Sequence, residues 1–306
     1  MPDPRPIGVF DSGVGGLTVL REINRRLPGE STLYVGDNGR APYGVRPDEE
    51  VLAFSTESLD ALVERDVKAL VVACNTSTAV GLGGFRRRYD LPVLGVIRPG
   101  AAAAALATRN RRVGVIATPA TIRSHAYFNA IKDENPAVEV YEHATPTFVP
   151  MVEAGLLGGP EVEADVREAL APLLGERDAS GEFVFPLPPS ARIDTLLLGC
   201  THYPLLRPAL ERVAGEGIAI VDSASATASA LAELLSINAL EAPAGGGDRV
   251  GTAPGSGATH VQLTTGDVDA FRSIAERMFG DAFPDVAGVE LGAAGVKAGV
   301  AGSAPA

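Results

Sequence analysis

Short apolar runs alternate with longer amphipathic stretches along most of the chain. Runs at 7–10, 32–36, 67–73, 92–97, 112–117, 137–142, 193–199, 218–222 and 260–265 predict strands. Stretches at 15–27, 48–65, 76–88, 99–108, 120–132, 161–174, 204–214 and 224–235 predict helices. Strands alternating with helices of this length predict an α/β fold of parallel sheets covered on both faces.

The pattern also repeats within the chain. "IGVFDS" at 7–12 is echoed by "VGVIAT" at 113–118, an apolar strand with glycine second and small polar residues last. "KALVVACNTSTA" at 68–79 is echoed by "DTLLLGCTHYPL" at 194–205. Gly8 and Cys74 are 66 positions apart, whereas Gly114 and Cys200 are 86 apart. The surplus falls in "GERDASGEFVFPLPPSAR" (175–192), a polar, Pro-rich stretch with the character of an inserted loop. Two pseudo-symmetric parallel-sheet α/β domains follow, with a site in the cleft between them. Residues 1–97 and 209–284 are expected to form a discontinuous first domain, and 98–208 the second. The Gly-rich stretch 244–258 reads as a loop, and the Gly/Ala-rich residues 285–306 read as a frayed tail.

Composition narrows the partners. A net charge of −12 over 306 residues argues against capture of nucleic acid, which needs a basic face. No run approaches the roughly 18 apolar residues of a membrane helix. The start "MPDPRPIGVF" lacks the build of a signal peptide, so a cytoplasmic location is expected. Cys74 and Cys200 are the only cysteines, and in a reducing compartment they need not pair. The plain alternative makes both of them buried small hydrophobes.

Their placement favours chemistry. Ligands of open parallel sheets bind beyond the carboxyl ends of strands, where both cysteines fall. Each precedes a hydrogen-bonding pair, Asn75-Thr76 or Thr201-His202, and a predicted helix. A helix N-terminus offers free N–H groups and a positive dipole end, which lowers a thiol's pKa and binds carboxylate. Two thiols facing a small ligand suit removal of a proton from one face of a carbon and delivery to the other. Asp11 and His202 are the nearest candidates to manage those protons. No Cys-x-x-Cys spacing supports a redox pair, and the four histidines, at 125, 143, 202 and 260, lack metal-ligand spacing. Neither Lys68, Lys132 nor Lys297 occupies a convincing Schiff-base position, so no cofactor is expected. A Cys200–His202 nucleophile remains open, but it leaves Cys74 unexplained. "GDNGRAPYG" at 36–44 and Glu153 in "PMVEAG" add a polar turn and a carboxylate whose plain readings are a turn and a surface charge.

"VFDSGVGGLTVLREI", "YVGDNGRAPYG", "VVACNTSTA" and "LLLGCTHYPLL", in this order, resemble the glutamate racemases, cofactor-independent members of the aspartate/glutamate racemase superfamily. The resemblance implies conversion of L-glutamate to D-glutamate for peptidoglycan synthesis, with Cys74 and Cys200 as the two catalytic thiols. It implies substrate binding by Asp11, Ser12, Tyr43, Gly44, Asn75, Thr76, Thr201 and His202, with Thr118 and Thr121 near the ligand. Asp11 and His202 match residues that assist the thiols, and Glu153 and Asp37 match lesser candidates. A homodimer is implied as well. Ser77-Thr78 departs from the family's common Ala-Ser, and the 175–192 insertion and long tail are unusual. Aspartate or hydantoin racemisation is the nearest rival, then a Cys200–His202 hydrolase or transferase. A nucleotide site on "DSGVGG" fits neither phosphate-binding glycine motif.

Overall fold

A computed structural model describes residues 2–177, 183–184, 192–243, 257–280, 283 and 285–292. Its strands are β1 (Ile7–Asp11), β2 (Thr32–Gly36), β3 (Ala69–Val72), β4 (Val93–Gly95), β5 (Arg112–Ala117), β6 (Glu139–Ala144), β7 (Glu176–Arg177), β8 (Phe183–Val184), β9 (Thr195–Gly199), β10 (Ala219–Asp222), β11 (His260–Thr264) and β12 (Val286–Gly288). Its helices are α1 (Leu17–Arg26), α2 (Asp48–Val63), α3 (Asn75–Arg88), α4 (Ile97–Ala107), α5 (Pro119–Arg123), α6 (Ala126–Glu134), α7 (Phe148–Glu153), α8 (Pro160–Leu174), α9 (Arg207–Ala214), α10 (Ala224–Ile237) and α11 (Val268–Phe279).

The first lobe holds a six-stranded parallel sheet in the order β12-β11-β2-β1-β3-β4. The second holds a four-stranded parallel sheet in the order β10-β9-β5-β6. Strand β1 is buried along its whole length, as expected of a parallel strand covered on both faces. Successive residues point to opposite layers: Ile7 and Val9 pack with α1 and α10, Phe10 with Val51 and Phe85 of α2 and α3. In the second lobe, Val113 and Val115 pack with α4 and α6, while Ile116 packs with α8 and α9.

The internal echo is a repeated topology. The run β2-β1-β3-β4 of one sheet matches β6-β5-β9-β10 of the other. Register repeats too: Gly8 pairs with Leu70, and Gly114 pairs with Leu196. Both cysteines therefore leave the carboxyl end of the strand beside the central one.

Two boundaries need correction. Residues 209–222 were assigned by pattern to the first domain, yet α9 packs on α8, and β10 pairs with β9 in the second sheet. That strand is the counterpart of β4, and an apolar run of four residues says nothing about which sheet it joins. The chain returns to the first lobe through α10, which packs on α1. Likewise the expected tail begins with β12, which extends the first sheet beside β11. In the 175–192 insertion, β7 and β8 form an antiparallel pair, and most of the remainder lies outside the described residues, as do 244–256 and 293–306. Helices α7 and α11 were not anticipated from the pattern. In α11 the Asp267 side chain caps the Ala270 N–H at 2.7 Å, a signal that was present in the sequence. No helix among the described residues is long and apolar enough to cross a membrane.

Candidate active site

Strand β3 runs into Cys74, which is the N-cap of α3, with its sulfur accepting the Ser77 N–H at 3.5 Å. The Cys74 thiol in turn donates to Ser12 Oγ, also at 3.5 Å. The second turn is built differently. Cys200 directly follows β9, and a 3-10 turn over Tyr203–Leu206 precedes α9, rather than one continuous helix. Pro204 and Pro208 lack the N–H groups that would carry an α-helix back through this turn. The Cys200 sulfur meets His202 Nδ1 at 3.7 Å, and His202 Nε2 meets Glu153 Oε1 at 2.6 Å. Glu153 arrives from the end of α7.

The electrostatics oppose one expectation. A helix N-terminus should lower the Cys74 pKa, but burial pushes this thiol up to about 11, and the adjacent Asp11 charge adds to the rise. Hydrogen bonding with Ser12 and Ser77 offsets only part of it. Desolvation of the buried sulfur is the largest cause. Burial likewise raises Asp11 to about 6, against the His202 charge and hydrogen bonds from Gly13, Gly16 and Thr201. His202 shows the opposite balance. Burial disfavours its charged ring, yet Cys200 and Glu153 together hold its pKa well above the ordinary imidazole value.

A cleft lies between the lobes. Ser12, Tyr43, Gly44, Cys74, Asn75 and Thr76 line it from the first lobe, and Thr118, Glu153, Cys200, Thr201 and His202 from the second. Asp11 and Thr121 stand behind this lining. Asp11 is fully buried beneath the glycine turn, accepting from Gly13 N–H at 3.1 Å and from the Thr201 hydroxyl at 3.2 Å. Thr121 closes a triangle of hydroxyls, 3.1 Å from Thr118 and 3.5 Å from Thr76. Asp37 is also buried away from the cleft, where it accepts from the Tyr43 hydroxyl and from Arg40 Nε at 2.7 Å. It therefore fixes the Tyr43 ring.

The glycines do contact work. A Cβ on Gly15 would lie 2.5 Å from His202 Nδ1, and one on Gly44 would lie 2.5 Å from Thr118 Cβ. Both are places where one lobe's backbone presses on the other lobe's site residues. Asn75 adds a donor, since its buried Nδ2 has no hydrogen-bond partner among the described residues.

Comparison with known proteins agrees with this geometry. The Asp/Glu/Hydantoin racemase family model matches residues 7–181. A glutamate racemase from Oceanobacillus iheyensis is 43% identical over 275 residues, spanning 90% of this chain and 92% of that protein. The chain belongs to the glutamate racemase family. Among solved structures, a glutamate racemase isoform from Bacillus anthracis superposes with TM-score 0.82 at 41% identity, covering 94% of this chain and 98% of that one. A glutamate racemase from Francisella tularensis, solved in complex with D-glutamate, gives TM-score 0.79 at 31% identity, with the same coverage.

Sequence reading of this racemase missed several residues of the site. Ala41, Pro42 and Val149 line the cleft, and Ser77 bonds the Cys74 sulfur. Pro42 was visible in its turn, but Val149 sits on the unanticipated α7 and carried no signal. Among the described residues, no three His, Cys, Asp or Glu side chains gather as a metal site.

Proposed function

We propose that this racemase interconverts L- and D-glutamate with Cys74 serving one face of Cα and Cys200 the other. The observation that carries this reading is one cleft lined by both cysteines, each from a different lobe. In one direction the Cys74 thiolate takes the Cα proton, and the C–H electron pair delocalises into the substrate carboxylate. The Cys200 S–H then delivers a proton to the opposite face. Cys74 is left as thiol and Cys200 as thiolate, which is the starting pair for the reverse direction. No electrons are gained or lost, so the proton balance closes without a redox partner.

The surrounding groups take distinct parts. His202, charged and anchored by Glu153, exchanges its proton with Cys200. Asp11 acts on the Cys74 proton through its field rather than on the substrate ammonium, because it does not line the cleft. The Asn75 Nδ2 group and the Ser12, Thr76, Thr118 and Thr201 hydroxyls supply polar contacts for the glutamate carboxylates and amine. The product D-glutamate would supply peptidoglycan synthesis in the cytoplasm, and the working unit would be a homodimer.

Solvent-deuterium exchange tests the mechanism. In D₂O the wild type should incorporate deuterium at Cα from either glutamate enantiomer. Cys74→Ser and Cys200→Ser should each lower racemisation by about 10³-fold or more, in line with loss of an acid–base group. Racemisation that survives in Cys74→Ser would sink the two-thiol reading.

A further inference from the structure

Tyr127 touches the chain beside each cysteine. It comes from α6 of the second lobe and is fully buried. Its hydroxyl donates to Asn75 Oδ1 at 2.6 Å, and Asn75 directly follows Cys74. The edge of its ring packs on Gly199, which directly precedes Cys200: a Cβ on Gly199 would lie 2.9 Å from Tyr127 Cε2. A third side is closed at the crossover between lobes, where a Cβ on Gly100 would lie 3.3 Å from the Tyr127 hydroxyl and 2.9 Å from Ser223 Cβ. The ring is thus seated where two glycines leave just enough room for it.

The hydrogen-bond directions matter. The tyrosine's one proton goes to Asn75 Oδ1. The amide can then present only its NH₂ end elsewhere, and that group is buried with no hydrogen-bond partner among the described residues, in a residue lining the cleft. Amide orientation in a site is set by such networks. A flipped amide would turn an acceptor toward an anionic ligand.

We propose that Tyr127 is a positioning residue: it spans the two cysteine turns and locks the Asn75 amide with its NH₂ group toward the substrate carboxylate. The inference rests on the glutamate reading above. It assigns the second lobe a part in shaping the first lobe's half of the site.

Steady-state racemisation of both enantiomers by Tyr127→Phe, Asn75→Ala and the double variant tests it. Tyr127→Phe should raise KM about tenfold with kcat changed less than about threefold, the scale of one hydrogen bond to a charged group. Asn75→Ala should raise KM at least as far, and the double variant should be no worse than Asn75→Ala alone. Asn75→Asp, which keeps the acceptor for the tyrosine hydroxyl and lacks the NH₂ group, should raise KM at least about tenfold and serves if Tyr127→Phe does not fold. An unchanged KM in the folded variant, or effects that multiply in the double variant, overturns the positioning role. Absence of racemisation by the wild type overturns the parent reading instead.

Discussion

The two cysteine turns share a backbone plan and differ in chemistry. Both follow the strand beside the central one, in matching register. Around Cys74 stand hydroxyls and a backbone N–H, from Ser12 and Ser77, with Asp11 buried nearby. Around Cys200 stands an imidazole backed by a carboxylate. The shared topology therefore explains where the thiols are, and their different neighbours explain how each is handled. Cys74 is held toward its neutral thiol by burial and by a neighbouring anion. Cys200 faces a ring that is kept charged. This asymmetry favours the neutral thiol at Cys74.

Alkylation breaks the comparison most strongly. In Cys200→Ser, Cys74 is the one remaining thiol. Its reaction with iodoacetamide should rise with pH toward a midpoint near 11. At pH 8 it should be about two orders of magnitude slower than an exposed thiol of ordinary pKa near 8.5. A midpoint at or below the ordinary value would mean that the helix N-terminus, not burial, governs this sulfur.

Asp11 sets the next effect. Its folded pKa, about 6, lies above the ordinary 3.8, so the folded state holds its proton more tightly. The stability this provides is fully present below pH 3.8 and is lost as pH rises through 6. The loss amounts to about 3 kcal/mol across that window. Asp11→Asn removes the titration, so its stability relative to wild type should increase by about that much between pH 4 and pH 7 in urea unfolding. The same variant should lower the Cys74 midpoint, because the charge that opposes thiolate is gone. A flat difference between wild type and variant would place the Asp11 pKa near its ordinary value.

Much of this site was legible before the fold was known, and the limits have physical reasons. The strand–cysteine–polar pair recurs in the sequence because a buried parallel strand is an unbroken apolar run and its end is abruptly polar. The second Gly of "IGVFDS" and of "VGVIAT" marks equivalent register for the same reason. What periodicity cannot carry is partnership across space. Strand β10 was assigned to the wrong sheet because its four residues suit either edge. Tyr127 reads as one aromatic on an amphipathic helix, and only tertiary packing brings it between Asn75 and Gly199. Local signals are incomplete for the Cys74 titration, since an N-cap position is visible in sequence and depth of burial is not. Within the run "GVGG", Gly15 is held bare by His202 of the other lobe, a contact no local pattern shows.

Glu153→Gln sharpens the imidazole side. His202 is kept charged by Cys200 and Glu153 against burial, so neutralising Glu153 should let burial win and lower the His202 pKa. A histidine whose folded pKa is raised gives stability that is complete below its unfolded value and lost as pH rises through the folded one. Wild type should therefore keep this contribution, and the proton on His202, into alkaline pH. In Glu153→Gln the alkaline limb of kcat/KM should move to lower pH, with about a tenfold loss at pH 9 and a smaller loss at pH 7. Cys74 alkylation should not follow, because the carboxylate serves the other turn. A profile that keeps its alkaline limb would separate Glu153 from the proton path.

The smallest expected effect comes from Thr121, and it tests whether the lobes are joined by polar contact as well as by packing. Thr76 and Thr118 meet across the cleft at 3.0 Å, and Thr121 supports them at 3.5 and 3.1 Å from behind. Thr121→Val keeps the branched shape and leaves the Thr76–Thr118 bond intact, so KM for glutamate should rise by no more than about threefold. Thr118→Val removes the bond at the centre of the triangle and a hydroxyl that lines the cleft. Its effect should be several times larger, with both enantiomers affected alike. If the two substitutions cost the same, Thr121 meets the ligand after all, and the wall drawn between cleft-lining and supporting residues lies one layer too shallow.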